Sequence, residues 1–301
     1  MAIQKLDDLF EVLRSKPRKR LVAAYANDAH TIEAVAAAVQ AGIVEATLVG
    51  DRDTILKVCQ EQKVEASQFE IVQESVDTKA VATAISLIND GRGDILMKGL
   101  VTTDRYMRGI LNKEKGLLPP KAVLSHVTVM QIPTYHKLLV VGDVAIIPAP
   151  DFNQKVAITN YLITIAKTLG IETPKVALLA ATEQVSTGMP ACVEAAVLSK
   201  MGDRGQIQGA LLEGPLALDV AVNAEAAKIK KLTSQVAGDA DCLLFPNIES
   251  GNVFFKTCTK FAKAELGAMV MGAKVPCILT SRGDSVKSKM YSIALAANAA
   301  R

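Results

Sequence analysis

Val-Pro-Cys-Ile-Leu-Thr-Ser-Arg-Gly-Asp-Ser, residues 275–285, joins a short apolar run to the start of a helical pattern. Asp284 or Ser285 can cap the first turn of that helix. The stretch is therefore predicted to lead from a strand to a helix N-terminus, where unpaired backbone N–H groups and the helix dipole attract anions. Arg282, beside two hydroxyls and a glycine, makes the predicted site fit a phosphate. The apolar residues that recur at helical spacing after the loop are Val286, Met290, Ile293 and Ala297.

The same order of apolar run, polar loop and helical pattern repeats along the chain. Leu21 to Tyr25 is apolar, and Asn27 and Asp28 then open a helical pattern that continues to Ala41. Continuous apolar strands between helices are typical of parallel sheets covered by helices on both faces. The sequence therefore predicts an α/β fold with three layers and mainly parallel sheets. Further apolar runs lie at residues 45–49, 94–100, 140–147, 175–181, 210–212, 241–246 and 275–281.

Composition excludes several classes of protein. A chain of 301 residues, half of them apolar, can bury a large core and suits two lobes better than one. The formal net charge of +3 is small and dispersed, so we expect no nucleic-acid partner. No apolar run approaches the roughly 20 residues of a membrane span, so we expect no membrane contact. The five widely spaced cysteines and three histidines form no metal motif, which favours a cytoplasmic protein without a bound metal.

The prolines between Ile147 and Asn153 interrupt regular structure and mark the predicted boundary between lobes. We predict a first lobe over residues 1–150 and a second lobe over residues 151–283. The C-terminal segment, residues 284–301, is predicted to return to the first lobe. Ligands of open parallel sheets bind outside the carboxyl ends of strands, so the loops after strands hold the candidate site.

Basic and hydroxyl side chains converge where a helix is predicted to begin shortly after residue 100. The hydroxyls can cap that helix, and two arginines lie one turn apart on one of its faces. A guanidinium gives paired hydrogen bonds to phosphate oxygens, so this loop suits a phosphate or pyrophosphate. The alternative is that both arginines are solvated surface residues. The candidate substrate-binding residues of this loop are Lys98, Thr102, Thr103, Arg105 and Arg108.

Two further loops carry weaker signals. In Pro246-Asn-Ile-Glu-Ser-Gly-Asn252, Gly251 permits close approach of a backbone to a ligand. Asn252 either caps a helix predicted over residues 253–263 or offers its amide to a ligand, and both residues are substrate-binding candidates. The loop from Leu212 to Asp219 places two carboxylates around a turn.

Signatures of covalent catalysis and of common nucleotide sites are missing from the sequence. The chain has no Walker loop, no Gly-x-Gly-x-x-Gly after the first strand and no Gly-x-Ser-x-Gly elbow. We therefore expect catalysis by positioning and electrostatics, without a protein nucleophile.

Four motifs, taken together, resemble the phosphate acetyl/butyryl transferase family. They are Thr280-Ser-Arg-Gly-Asp-Ser, Phe245-Pro-Asn-Ile-Glu-Ser-Gly-Asn252, Leu212-Glu-Gly-Pro-Leu-Ala-Leu-Asp219 and Pro174-Lys-Val-Ala-Leu-Leu. They keep the family's order over essentially the whole chain, and the compact length and C-terminal sequence are closer to its phosphate butyryltransferase branch. The resemblance implies two lobes like those of isocitrate and isopropylmalate dehydrogenases, with the active site in the cleft between them. It also implies the conversion of acyl-CoA and phosphate to acyl phosphate and CoA.

The resemblance also assigns roles to residues. It implies that the Ser281 hydroxyl stabilises the oxyanion, that Arg282 holds phosphate and that Arg108 contacts phosphate or CoA. In acetyl-transferring members, an aspartate thought to deprotonate the CoA thiol would fall on Ser288, which cannot act as a base. Asp284 is the replacement candidate, unless it only caps the helix. Three other carboxylates are open candidates for the base: Glu213, Asp219 and Glu249.

The leading prediction is a phosphate acyltransferase for butyryl or branched acyl groups, with CoA as a substrate and no cofactor. A homodimer or larger homo-oligomer is the default expectation. A phosphate acetyltransferase and a non-catalytic acyl-CoA-binding regulatory module remain open. A dehydrogenase of the same fold is disfavoured, since no carboxylate cluster for a divalent metal is evident.

Overall fold

The computed structural model describes residues 3–279 and 285–300. Its helices are α1 (Asp8–Arg14), α2 (Ala29–Gln40), α3 (Arg52–Glu61), α4 (Asp77–Asn89), α5 (Thr103–Ile110), α6 (Phe152–Thr168), α7 (Pro190–Asp203), α8 (Leu218–Val222), α9 (Ala224–Ile229), α10 (Ile248–Lys260) and α11 (Val286–Ala299). Its strands are β1 (Lys19–Ala24), β2 (Val44–Gly50), β3 (Phe69–Gln73), β4 (Ile95–Lys98), β5 (Ser125–Gln131), β6 (Leu139–Gly142), β7 (Lys175–Leu179), β8 (Leu211–Leu216), β9 (Cys242–Leu244), β10 (Glu265–Met271) and β11 (Cys277–Ile278).

The chain divides into two compact units. The flanking unit comprises Leu6–Leu124 and Leu266–Arg301, and the middle unit comprises Met1–Lys5 and Ser125–Glu265. These units differ from the predicted lobes at both junctions. The first junction lies before β5 rather than at residue 150, because β5 pairs with β6 and β6 pairs with β9 of the middle unit. The chain returns at residue 266 rather than 284, because β10 pairs with β11 and β11 pairs with β4.

The sheet of the flanking unit has the strand order β3-β2-β1-β4-β11-β10. Its strands are parallel except for β10, which is antiparallel to β11. Buried aliphatic side chains fill β1 and β4 on both faces, as expected for a sheet covered by helices on both sides. The predicted mixed α/β fold with mainly parallel sheets is confirmed.

Local sequence explains where the helices of this sheet begin. Asp28 precedes α2, and its carboxylate accepts hydrogen bonds from the Thr31 backbone N–H at 3.0 Å and from the Thr31 hydroxyl at 2.7 Å. Ile32 and Val35 then bury the inner face of α2. A side-chain cap of this kind stabilises a helix by about 1 kcal/mol, so the polar pair after β1 fixes the start of α2 as predicted.

The sheet of the middle unit has the order β5-β6-β9-β7-β8, with β5 antiparallel to β6 and the other pairs parallel. The helix α6 covers part of it and begins with a reciprocal capping box between Asp151 and Gln154. Ile158, Leu162 and Ile165 form its buried face. Within the described part of the chain, no helix has the length and apolar character needed to cross a membrane.

A charged cluster ties together the amino ends of strands in the middle unit. The Asp239 carboxylate accepts hydrogen bonds from Lys175 at 2.6 Å, Lys137 at 2.9 Å and His136 at 2.8 Å. Burial by itself raises the pKa of Asp239, but these hydrogen bonds outweigh it and hold the pKa well below its usual range.

A lowered carboxylate pKa makes stability depend on pH. The stabilisation by Asp239 is fully present above the ordinary aspartate pKa of about 3.9 and is lost as the pH falls below it. We therefore expect Asp239→Asn to lower the free energy of unfolding by about 1 kcal/mol at pH 7. Urea unfolding between pH 7 and pH 3 should show this difference narrowing below about pH 4. Asp203→Asn is the control, because the ion pair between Asp203 and Lys200 lies on the exposed surface. If the difference in free energy of unfolding between the wild type and Asp239→Asn does not change with pH, the lowered pKa of Asp239 is not the source of this stabilisation.

Candidate active site

Three parallel strands of the flanking unit end side by side. Ala24 of β1 lies opposite Lys98 of β4, and Ile278 of β11 lies opposite Met97 of β4. The loops that follow β1, β4 and β11 therefore leave the same edge of the sheet. This is the edge at which ligands bind in open parallel sheets.

Lys98 ends β4 and is 7% exposed. Its Nζ donates hydrogen bonds to the Val101 carbonyl at 3.0 Å and to the Gly99 carbonyl at 3.2 Å. The ammonium is therefore held at the carboxyl edge of the sheet, beside the strand that leads to residues 280–284. A positive charge buried there contributes more to the local potential than an exposed lysine would.

The backbone immediately after β4 packs tightly on the backbone after β1. A Cβ atom on Gly99 would lie 2.4 Å from the Tyr25 carbonyl oxygen, so no other residue fits there. Leu100 N–H donates to the same oxygen at 2.7 Å. Tyr25 has a φ of 60°, in the left-handed region that a non-glycine residue seldom adopts. The two loops therefore hold each other in place.

The helix α5 begins at this edge, as predicted. Thr102 is its N-cap and accepts from the Arg105 backbone N–H at 3.4 Å, while Thr103 is exposed in the first turn. Two hydroxyls thus stand at the positive end of a helix, near the ammonium of Lys98. This combination suits an anionic ligand.

The two arginines of α5 have different partners. Arg105 forms an ion pair with Asp77 at the start of α4. Arg108 pairs with Asp104 on its own helix at 3.0 Å, and its side chain is 79% exposed. An exposed pair of this kind contributes about 0.3–0.5 kcal/mol, so a phosphate can readily replace Asp104 as the partner of Arg108.

Both guanidiniums line an open groove of about 990 Å³ between α4 and α5. The buried side chains of Val81 and Ile85 form part of its floor, and Lys115 and Lys274 add positive charge. The groove therefore offers cations around an apolar floor, together with the carboxylates of Asp104 and Glu114.

The predicted catalytic residues Ser281, Arg282 and Asp284 lie outside the described residues. The described residues on either side fix where this loop starts and ends. It follows β11 beside β4 and precedes α11, which Ser285 caps by accepting from the Ser288 backbone N–H at 3.1 Å. Ser285 is thus the cap of α11, and its hydroxyl also donates a hydrogen bond to the Ser288 hydroxyl at 3.1 Å.

Cys277 is the cysteine nearest to this loop in the chain. It is buried, and burial raises the pKa of its thiol to about 12 despite a hydrogen bond with Tyr106. Such a thiol is fully protonated at neutral pH and is a poor nucleophile.

Gly251 and Asn252 have packing roles in the middle unit. Helix α10 begins at Ile248, five residues earlier than predicted, and its cap is Asn247, which accepts from Ser250 N–H at 3.0 Å. The prediction that Asn252 caps this helix is therefore wrong. A Cβ on Gly251 would lie 2.5 Å from the Asp143 carbonyl oxygen, and the Asn252 amide donates to the Val144 carbonyl at 3.0 Å. Both residues fasten α10 to the turn after β6.

The other candidate bases also lie in the middle unit. Glu213 accepts a short hydrogen bond from the Ser234 hydroxyl, and Asp219 lies 3.8 Å from the Lys230 ammonium. Glu249 is exposed in the first turn of α10. Among residues 3–279 and 285–300, no three histidine, cysteine or carboxylate side chains group as metal ligands.

Asp143 is a buried carboxylate that the sequence analysis missed. One of its oxygens accepts from the Ser125 hydroxyl at 2.9 Å and from His126 N–H at 3.1 Å. The other accepts from the backbone N–H groups of Ala145 at 2.7 Å and Ile146 at 2.9 Å. A single acidic residue inside the apolar run at 140–147 was the available signal, because a buried charge needs several donors.

Comparison with known proteins gives the family of the chain. A family model described as Phosphate acetyl/butaryl transferase matches residues 53–297. The chain belongs to this family. The resemblance noted from the four motifs is thereby confirmed over most of the sequence.

Several members of the family are similar over nearly their full length. A phosphate butyryltransferase of Clostridium acetobutylicum is 43% identical over 295 residues, 98% of this chain and 98% of that protein. A phosphate acetyltransferase of Thermotoga maritima is 40% identical over 292 residues, covering 97% of this chain and 98% of that protein. The crystal structure of a branched-chain phosphotransacylase from Enterococcus faecalis V583 superposes with a TM-score of 0.81 at 29% identity, over 93% of this chain and 98% of that one.

Proposed function

We infer that the protein is a phosphate acyltransferase that interconverts a short-chain acyl-CoA and phosphate with acyl phosphate and CoA. The observation that carries this conclusion is the 43% identity to a phosphate butyryltransferase over 98% of both chains. The carboxyl edge of the flanking sheet agrees with it, since Lys98 and the α5 N-terminus form a surface suited to anions.

Butyryl or branched acyl groups are the proposed substrates. The similar proteins named for butyryl and branched-chain transfer support this choice. Acetyl transfer is the alternative, supported by the 40% identity to a phosphate acetyltransferase. An added methylene in an apolar pocket changes selectivity by only about 1–3 kcal/mol, so a few pocket side chains separate the two specificities.

The proposed chemistry needs two charges to be stabilised. A phosphate oxygen attacks the thioester carbonyl, the carbonyl oxygen becomes an oxyanion, and the C–S bond then breaks to release CoA as the thiolate. We assign the oxyanion to the hydroxyl of Ser281 and the phosphate to Arg282. Lys98 adds a fixed positive charge at the strand edge from which their loop departs. Electrostatic stabilisation of this kind is commonly the largest catalytic contribution.

In the reverse direction the CoA thiol must lose a proton. Asp284 is the proposed base, since Ser288 occupies the position of the family's aspartate and Ser285 already caps α11. A carboxylate near Arg282 can take the proton while the cation stabilises the thiolate.

We propose that the enzyme has no resident cofactor and acts as a cytoplasmic homo-oligomer. The five cysteines are free and buried, which suits a reducing compartment. Dialysis against EDTA should leave the activity unchanged, and a loss restored by a divalent cation would overturn the first part of this proposal.

The activity assay is direct. Purified protein is mixed with phosphate and acetyl-, propionyl-, butyryl- or isobutyryl-CoA, and the released CoA thiol is measured. We expect phosphate-dependent release, fastest with butyryl- or isobutyryl-CoA. Fastest release with acetyl-CoA would favour the acetyltransferase. CoA binding without thiol release would favour the regulatory module and overturn the enzyme assignment.

Arg108 is the proposed anion contact on α5, and Arg105, one turn earlier, is paired with Asp77. We expect Arg108→Ala to raise KM for acyl-CoA or phosphate about 10- to 100-fold. This factor corresponds to the binding free energy that is lost with one charge-assisted hydrogen bond. Steady-state kinetics with each substrate varied separately identifies which anion it binds. Arg92→Ala is the control, because Arg92 is an exposed arginine of the same unit paired with Glu70. Equal KM values for Arg108→Ala and Arg92→Ala would contradict the assignment.

A further inference from the structure

The strand order of the flanking sheet reverses between β1 and β4. The chain runs from β1 outward through β2 to β3 and then crosses back to β4 on the other side of β1. Right-handed crossovers in opposite directions place α2 and α4 on opposite faces of the sheet, and α5 packs beside α4. The loops after β1 and β4 therefore separate towards opposite faces. The crevice between two such loops is where open parallel sheets bind their ligands.

Tyr25 is the first residue after β1, at the point where these two loops separate. Its carbonyl oxygen accepts the hydrogen bond from Leu100 N–H at 2.7 Å, and the lack of a side chain on Gly99 leaves room for this contact. The next residue, Ala26, donates its N–H to the Val49 carbonyl of β2 at 2.9 Å. Hydrogen bonds to both neighbouring strand ends thus hold Tyr25 at its φ of 60°.

A tyrosine is an unusual residue for this backbone conformation. The left-handed region is unfavourable for a residue with a Cβ atom, whereas glycine adopts it without strain. In the part of the chain that the structure describes, the other non-glycine residues with positive φ are four lysines. Three of them, Lys63, Lys231 and Lys263, follow the ends of helices, where this conformation is common. Tyr25 instead follows a strand at a ligand-binding edge, and strain at such a position is typical of residues that contact a ligand.

The side chain of Tyr25 is half-buried. Three other tyrosines donate their hydroxyls to protein oxygens at 2.7–3.1 Å: Tyr106, Tyr135 and Tyr291. By contrast, the Tyr25 hydroxyl has no protein partner within residues 3–279 and 285–300. A partly buried phenol without a protein partner is available to a ligand.

The groups beside Tyr25 suit an anion. Lys98 lies on the adjacent strand opposite Ala24, the residue before Tyr25, and α5 begins nearby at Thr103. A tyrosine hydroxyl can donate a hydrogen bond to a phosphate oxygen, and the buried ammonium and the helix N-terminus favour phosphate at the same edge.

We propose that Tyr25 is a substrate-binding residue whose hydroxyl donates a hydrogen bond to a phosphate group. That group belongs either to inorganic phosphate or to CoA. The inference rests on the proposed function, because both molecules are substrates of the proposed reaction. It adds the loop after β1 to the groups that hold them.

Calorimetric titration of inorganic phosphate and of CoA tests this role without requiring turnover. We expect Tyr25→Phe, which keeps the ring, to raise Kd about tenfold, as the loss of a hydrogen bond to a charged group does. The ligand whose Kd rises carries the phosphate group that Tyr25 contacts. Tyr135→Phe is the matched control, because it removes a phenol hydrogen bond to the Ala240 carbonyl in the middle unit and should leave both Kd values unchanged. Unchanged Kd values for Tyr25→Phe, or a wild type that binds neither ligand, would overturn the inference.

Glycine substitution separates ligand binding from backbone strain. Tyr25→Gly relieves the strain and removes the phenol, so we expect it to raise Kd at least as much as Tyr25→Phe. Lys63→Gly relieves the same strain after α3 and should bind both ligands as the wild type does. Circular dichroism establishes that each variant is folded. Wild-type binding by Tyr25→Gly would overturn the role of Tyr25. Ligand binding that depends on Tyr25, without any release of CoA thiol in the activity assay, would overturn the proposed reaction alone.

Discussion

Ser281→Ala is expected to lower kcat for acyl transfer about 100- to 1000-fold, with little change in KM. The hydroxyl is assigned to the oxyanion, which exists only after phosphate has attacked, so its loss removes stabilisation of the transition state rather than of bound substrate. Arg282→Ala is expected to lower kcat as well and to raise KM for phosphate, because the guanidinium binds that substrate before reaction. Initial rates of CoA thiol release with each substrate varied separately measure both effects.

The control for Ser281 is the neighbouring hydroxyl of Ser285. Ser285 caps α11 through the Ser288 backbone N–H, so Ser285→Ala should cost about 1 kcal/mol of folding free energy while retaining most of the turnover. If Ser281→Ala behaves like Ser285→Ala, the oxyanion assignment is wrong. If only Ser281→Ala loses turnover, the loss belongs to the reaction and not to the stability of the helix start.

Asp143→Ala is expected to destabilise the protein by about 4 kcal/mol, a large effect for one substitution. The carboxylate accepts from the Ser125 hydroxyl and from three backbone N–H groups of the turn after β6 and of β5. Alanine would leave these buried donors unsatisfied. Urea unfolding followed by circular dichroism gives the change in free energy.

Two further variants locate the origin of this effect. Asp143→Asn keeps one acceptor oxygen and should lose less stability than Asp143→Ala. Asp203→Asn, on the exposed surface, should change the free energy of unfolding by less than about 0.5 kcal/mol. A loss below about 1 kcal/mol for Asp143→Ala would mean that the turn finds other acceptors, including water.

Most strands could be predicted from the sequence as apolar runs, whereas β3, β5 and β10 could not. β1, β4 and β7 are short apolar runs between helical patterns, which is the usual appearance of strands buried on both faces. β5 was missed because Ser125, His126 and Thr128 break the apolar run although all three are buried. Their burial depends on partners distant in the sequence, such as the Asp143 carboxylate bound to Ser125.

The elements at the carboxyl edge of the flanking sheet were predictable where they follow from local geometry. A helix capped by Thr102 requires only neighbouring residues to be identified, although β4 ends at Lys98, two residues before the predicted apolar run does. The start of α10 was not predictable in this way, because Asn247 and Asn252 are equally good caps in isolation. Asn252 lies inside the helix because its amide and the neighbouring Gly251 meet the turn after β6, a contact across more than a hundred residues of sequence.

The strand that leads to residues 280–284 has only two residues, Cys277 and Ile278. It is paired to β4 on one side and β10 on the other, so it takes its position from them. The buried Tyr106 hydroxyl in turn donates to the Leu96 carbonyl of β4 at 3.1 Å. The end of β11 is therefore positioned from within the core. Substitutions at Tyr106 or along β10 would reach β11 through its pairing with β4 and β10.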